Sequence, residues 1–177
     1  ALYLTEQGAQ VVLLESGRMG WGASGRNGGQ VVSGYGEDTE HLVSRIHGKK
    51  AGERAWQLGF DCMDLLQETI QRHGIECDLT WGYVRAAVTN RHVRQLKHMM
   101  THWQDRQVPG ELEYVEGADV KMLAGTDAYR AAVYTTCEGH LHPLNLALGE
   151  AKAIQALGGR LYERSAATNI SYDQNRG

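Results

Sequence analysis

The sequence predicts an α/β fold interrupted by an inserted α+β segment, and three stretches carry that expectation. Residues 10–14 contain the unbroken run Val11, Val12, Leu13, Leu14, the pattern of a strand buried on both faces of a parallel sheet, and they end at the single acid Glu15. Residues 16–36 hold eight glycines, too many for regular structure over a span too long for an ordinary connection. Towards the other end, a helix opened by Pro143 and closed by Gly158 and Gly159 shows the usual asymmetry of proline at the first position and glycine past the last.

Residues 1–7 read as the last turns of a helix stopped at Gly8, a usual place for the left-handed residue beyond a helix end. Ala1, Leu2 and Leu4 have no capping residue before them, so a preceding segment is expected, with a strand and a Gly-x-Gly-x-x-Gly turn. Residues 40–73 read as helix with a break near Gly48. Trp56, Phe60, Met63, Leu66 and Ile70 fall on one stripe, and Gly74 closes the run. Residues 81–89 alternate like a strand, and Asn90 is expected to cap a second helix striped by Val93, Leu96, Met100 and Trp103. Pro109 and Gly110 end that unit. Strands are expected at 112–115 and 129–135 around a short helix at 119–123. Residues 169–172 read as a further strand and 173–177 as a turn with no returning strand, so the chain is expected to be cut at both ends.

With 42% hydrophobic and 22% charged residues, the 177-residue chain has the material for a core of one domain or two smaller halves. The net charge of −3, with basic residues dispersed, points away from a nucleic-acid partner. Apolar runs fall far short of the ~20 residues that span a bilayer, and no leader pattern opens the chain, so a soluble, cytoplasmic protein is expected. Cys62, Cys77 and Cys137 fit neither a disulfide framework nor a paired-cysteine zinc site and read as reduced packing residues. His98 and His102 are four apart and His140 and His142 two apart, but neither pair has the glutamate or cysteines that would complete a metal site. No metal is expected, and His142 before Pro143 reads as a helix cap or pocket wall.

Helix, glycine, buried strand and terminal acid form the second half of a Rossmann-like dinucleotide-binding βαβ unit, whose acid hydrogen-bonds the ribose hydroxyls of an adenosine. Glu15 occupies that position. A carboxylate there accepts two hydroxyls and repels a 2′-phosphate, which favours FAD or NAD over NADP. A surface acid at a strand end is the structural alternative. The stretch Trp21-Gly22-Ala23-Ser24-Gly25-Arg26-Asn27-Gly28-Gly29-Gln30 follows at once. Its backbone amides, with Ser, Arg and Asn donors, suit a pyrophosphate and let a flat ring approach the main chain. The alternative is a flexible glycine loop.

The run Glu15-Ser16-Gly17-Arg18, followed by Gly22 to Gln30, resembles the D-amino-acid-oxidase-type family of FAD enzymes, and within it the gamma-glutamylputrescine oxidases. A second stretch also resembles this family where its chain returns to the nucleotide domain: Gly139-His140-Leu141-His142-Pro143 and the helix after it, Gly158-Gly159, and Tyr162-Glu163-Arg164-Ser165 with Ile170.

The resemblance implies a cofactor site of Glu15, Ser16, Ser24, Gly25, Arg26, Asn27, Gly28 and Gly29, with Ala167 presenting its backbone to the adenine where valine is more usual. It implies an FAD-binding domain at 1–36 and 143–177, interrupted by a substrate-domain segment at 37–142. The reaction implied is hydride transfer to flavin from the C–N bond of a small-molecule amine or amino acid, with dioxygen or another acceptor reoxidising the flavin. No catalytic residue can be named. Alternatives are the same fold acting on a sarcosine-like secondary amine or a hydroxy acid, or a nucleotide-binding module without catalysis. Tyr83 and Arg85 alternate on one strand face and either line a pocket or are simply exposed.

Overall fold

The computed structural model describes residues 1–34 and 39–171. In chain order the elements are α1 (Leu2–Glu6), β1 (Val12–Leu14), a 3-10 turn (Ala23–Gly25), β2 (Gln30–Val31), α2 (Thr39–His47), α3 (Lys49–His73) and β3 (Thr80–Ala87). These are followed by α4 (Asn90–Asp105), β4 (Leu112–Glu116), α5 (Ala118–Ala124), β5 (Ala131–His140), α6 (Pro143–Ala156) and β6 (Arg160–Tyr162). They form two compact units, one of residues 1–29, 65–78 and 142 onward, the other of 30–64 and 79–141.

In the first unit β1 and β6 pair in parallel, Val12 against Arg160 and Leu14 against Tyr162. Parallel neighbours need a crossover, here closed by α6. That helix starts as the sequence dictates: His142 is the N-cap, its Nδ1 accepting the Asn145 amide at 3.3 Å, and Pro143 follows at the first turn. Ala153 and Ile154 of α6 are buried. Gly149 lies against Ile75, where a β-carbon would collide with the isoleucine side chain.

The second unit is an antiparallel sheet built on β5. One edge of β5 carries β3, from Thr80 opposite His140 to Ala87 opposite Ala131. The other edge is shared by β4 against residues 131–135 and β2 against residues 139–140. The helix α4 lays Leu96 on Ala87, Ala131 and Val133, with Val93, Met100, Leu112 and Tyr114 packed around them. Burying side chains such as Leu96 and Val133 contributes about 1.5–3 kcal/mol each.

Several boundaries differ from the sequence reading. The run at 10–14 is a strand only over Val12–Leu14, and Val12 and Leu14 are 48% and 54% exposed instead of buried on both faces. Among the described residues β1 pairs only with β6. The glycine-rich stretch contains a 3-10 turn and β2, so it is not wholly irregular. The cap of α4 is Thr89, whose hydroxyl accepts the His92 amide at 3.2 Å, and Asn90 is the first helical residue. The strand expected at 129–135 continues to His140. Residues 169–171 are irregular; Tyr172 and the turn expected at 173–177 lie outside the described residues. Cys77 is buried, but Cys62 is exposed and donates to the Leu58 carbonyl, so it is no packing residue.

Candidate nucleotide site

Glu15 lies just beyond β1, and its surroundings follow from the parallel pairing of β1 with β6. The pairing continues past both strand ends. The Glu15 amide donates to the Tyr162 carbonyl at 2.9 Å, the Ser165 amide to the Glu15 carbonyl at 2.8 Å and the Arg164 amide to the Gly17 carbonyl at 2.8 Å. Residues far apart in sequence are thus joined main chain to main chain, and Ala167, exposed, lies two residues beyond this joint. The half-buried Glu15 carboxylate takes the Gly17 amide at 2.7 Å and the exposed Ser16 hydroxyl at 3.3 Å, both on Oε1. That fixes the carboxylate and leaves Oε2 as the acceptor for a ligand hydroxyl.

The loop beyond Glu15 is braced from within. Asn27 donates through Nδ2 to the carbonyls of Ala23 and Ser24, each at 3.0 Å, and accepts the Gly29 amide on Oδ1 at 2.8 Å. Both of its amide hydrogens are thereby engaged on the loop, which leaves it the second lone pair of Oδ1 and its backbone for a ligand. Gly25 packs against the Gly20 carbonyl and Leu144 of α6, leaving no room for a β-carbon. Gly29 is buried with φ of 70°, where a side chain is strained. Ser24, Arg26 and Gly28 are exposed, and the Arg26 guanidinium stacks on the Trp21 ring at 3.6 Å from its centroid. The Met19 amide donates to Glu163 at 2.8 Å, tying the start of the loop to the residue after β6. Glu163 stands in the second family-like stretch, but its bond to the loop had no signal in the sequence.

An acceptor oxygen at a strand end, a glycine loop with little side-chain bulk, and an exposed serine hydroxyl and guanidinium match an adenosine diphosphate in their chemistry. The residues present therefore fit an FAD. Among the described residues no three His, Cys, Asp or Glu side chains are grouped to hold a metal ion. His98 is exposed, and His102 pairs with Glu40 at 3.3 Å and meets the Trp56 ring edge-on. No helix among these residues is long and apolar enough to cross a membrane.

The family model for FAD dependent oxidoreductases (DAO) matches residues 1–177. The chain belongs to this FAD-dependent oxidoreductase family. FAD is the cofactor of the family, and the α/β architecture is that of its solved members. The chain is 37% identical, over 172 residues and 97% of its length, to gamma-glutamylputrescine oxidoreductase of Escherichia coli (strain K12). It spans 40% of that protein's length. Among solved structures it is similar to L-amino acid deaminase from Proteus myxofaciens, with a TM-score of 0.72 and 18% identity over 97% of this chain and 36% of that one. It is also similar to glycine oxidase from Bacillus cereus ATCC 14579, with a TM-score of 0.69 and 18% identity over 98% of this chain and 44% of that one.

The second unit holds a group that the sequence reading missed. Glu138 of β5 is fully buried. Its carboxylate is gripped by the Arg85 guanidinium in a two-pronged pair, at 2.8 and 2.9 Å from Nη2 and 3.2 Å from Nε, and it also accepts the Ser33 amide and hydroxyl at 2.9 Å each. Arg85, read as either a pocket residue or simply exposed, is thus committed to a buried carboxylate and flanked by the Tyr83 and Trp103 rings.

Proposed function

We propose that this chain supplies the adenosine-side FAD site and part of the substrate domain of an enzyme that oxidises the C–N bond of a small-molecule amine or amino acid. A gamma-glutamylputrescine-like amine is the favoured substrate. The reading is carried by one observation: the main-chain joint between residues 15–17 and 162–165, which brings the strand-end acid beside the returning segment. The substrate class is supported by the 37% identity to a protein named gamma-glutamylputrescine oxidoreductase.

In this reading the Glu15 Oε2 accepts ribose hydroxyls, and Ser16 holds the carboxylate in place. Ser24, Arg26 and the amides of Gly25, Asn27, Gly28 and Gly29 lie along the diphosphate and ribityl chain, where the guanidinium offsets phosphate charge. The Ala167 backbone meets the adenine. Residues 1–36 and 143–177 are assigned to the FAD-binding domain and 37–142 to the substrate domain, although 30–34 fall in the second compact unit and 65–78 in the first. Bound there, FAD supplies the hydride acceptor, while the protein orients substrate and cofactor and excludes water.

The experiment is anaerobic mixing of the purified full-length protein with candidate substrates, followed by the flavin absorbance. Rapid bleaching by gamma-glutamylputrescine, and slow or no bleaching by sarcosine or a 2-hydroxy acid, is expected. Faster bleaching by one of those overturns the substrate assignment, and a protein purified without flavin that takes none up overturns the cofactor site.

A further inference from the structure

Pairing across the β3–β5 ladder breaks at one place. Trp81 faces Gly139 and Tyr83 faces Thr135, so residues 136–138 of β5 lie opposite Gly82 alone. Such a bulge re-aims side chains that regular alternation would fix. The Thr135 hydroxyl braces it by accepting the Cys137 amide at 3.2 Å. On the other edge of β5, residues 136–138 fall between the stretch paired with β4 and that paired with β2. Glu138 is the last bulged residue.

A fully buried carboxylate is retained at a cost unless it is paired and hydrogen-bonded, and a hydrophobic replacement often serves stability as well. Its partners indicate what it does instead. Beyond the Arg85 pair, both remaining bonds go to Ser33, four residues after Gly29 in the chain. The next residue, Gly34, is held from a second side: it lies against Gly59 of α3 so closely that a β-carbon on Gly59 would sit 2.8 Å from the Gly34 nitrogen. The segment leaving the glycine-rich loop is therefore pinned by a charge-assisted pair of hydrogen bonds and by a contact only glycine permits.

We propose that Glu138 is a positioning residue: held in the bulge by Arg85, it fixes Ser33 and Gly34 and so sets the exit of the loop whose residues 24–29 carry the flavin. The role rests on the flavin reading of that loop, but the pinning itself does not. Arg85 supplies the charge that keeps the carboxylate in place, and Gly59 supplies the space.

The test uses the full-length protein with FAD and the variants Glu138→Gln, Ser33→Ala, Ser33→Thr and Gly59→Ala. Amide hydrogen exchange of the peptide covering 30–34 is expected to rise about tenfold in Glu138→Gln, Ser33→Ala and Gly59→Ala, with β3 and α4 unchanged. The FAD dissociation constant should rise alongside, while Ser33→Thr, which keeps the hydroxyl, restores both. If Glu138→Gln fails to fold, Ser33→Ala probes the same bonds from the other end and Gly59→Ala probes the opposite side. Unchanged exchange at 30–34 in Ser33→Ala and Gly59→Ala overturns the proposal. So does faster exchange with unchanged FAD affinity, which would make the pair merely structural. Wild-type protein that binds no FAD sinks the flavin reading instead, and the exchange comparison then decides the pinning alone.

Discussion

At the scale of single residues, Glu15 lies just past β1 and Glu138 in the bulge of β5, yet only the first was legible as a candidate. Glu15 ends an apolar run and precedes a glycine-rich stretch, a local arrangement that reads directly as a strand-end acceptor. Glu138 has no local signal, because what makes it buried and paired is Arg85, 53 residues earlier, and a bulge that no periodicity reveals. Asn27 lies between these cases: its type and place were readable, but its engagement with Ala23, Ser24 and Gly29 was not. For Glu15 the expectation is specific. In the full-length protein Glu15→Arg replaces an acceptor by a donor and loses hydrogen bonds to a charged group, each worth about 1.5–3 kcal/mol, so the FAD dissociation constant should rise at least about tenfold. Fluorescence titration of the apoprotein with FAD measures it, and an unchanged constant would make Glu15 a surface acid.

At the scale of elements, the helices were the most legible because long apolar stripes and glycine stops survive any tertiary context. The break at Gly48 and the end at Gly74 fall where the sequence put them. Strands fared less well. The alternation of β5 is interrupted at residues 136–138, which ended the expected strand at 135, and β6 is three residues long and opens on Arg160, too little pattern to detect. The isoleucine and tyrosine near 170 suggested a strand, but no described strand pairs with residues 169–171.

Two predictions belong here. Thr89→Ala removes the cap of α4 and should cost about 1 kcal/mol, lowering the thermal midpoint by about 2–4 °C. Asn90→Ala should be closer to neutral, and the reverse order would return the cap to Asn90. The second concerns Glu150 on α6, where burial pushes the carboxyl above its ordinary 4.5. The folded state then binds the proton more tightly than the unfolded one, so stability falls as pH rises from 4.5 through the raised value and the penalty is complete above it. Glu150→Gln should therefore melt higher than wild type at pH 7 and equally below about pH 4.5. An equal advantage at both pH values would assign the gain to packing.

At the scale of the whole molecule, the two-stranded parallel sheet of the first unit has, among the described residues, one largely apolar face exposed, interrupted by Arg160 opposite Val12. Val12, Leu14 and Tyr162 share that face through the register of β1 and β6, and they are 48%, 54% and 47% exposed. Parallel sheets are found covered on both faces, and two strands seldom stand by themselves in water. The chain spans 40% of the length of its Escherichia coli relative. Residues 1–177 expressed by themselves should accordingly bind a hydrophobic dye and self-associate through this face. Replacing Val12 and Leu14 together by lysine should reduce both dye binding and the apparent mass in light scattering, because lysines on an exposed strand oppose pairing between chains. A wild-type chain that stays monomeric and dye-free at about 100 μM, well inside the range where unpaired edges associate, would mean that the bare face is not adhesive.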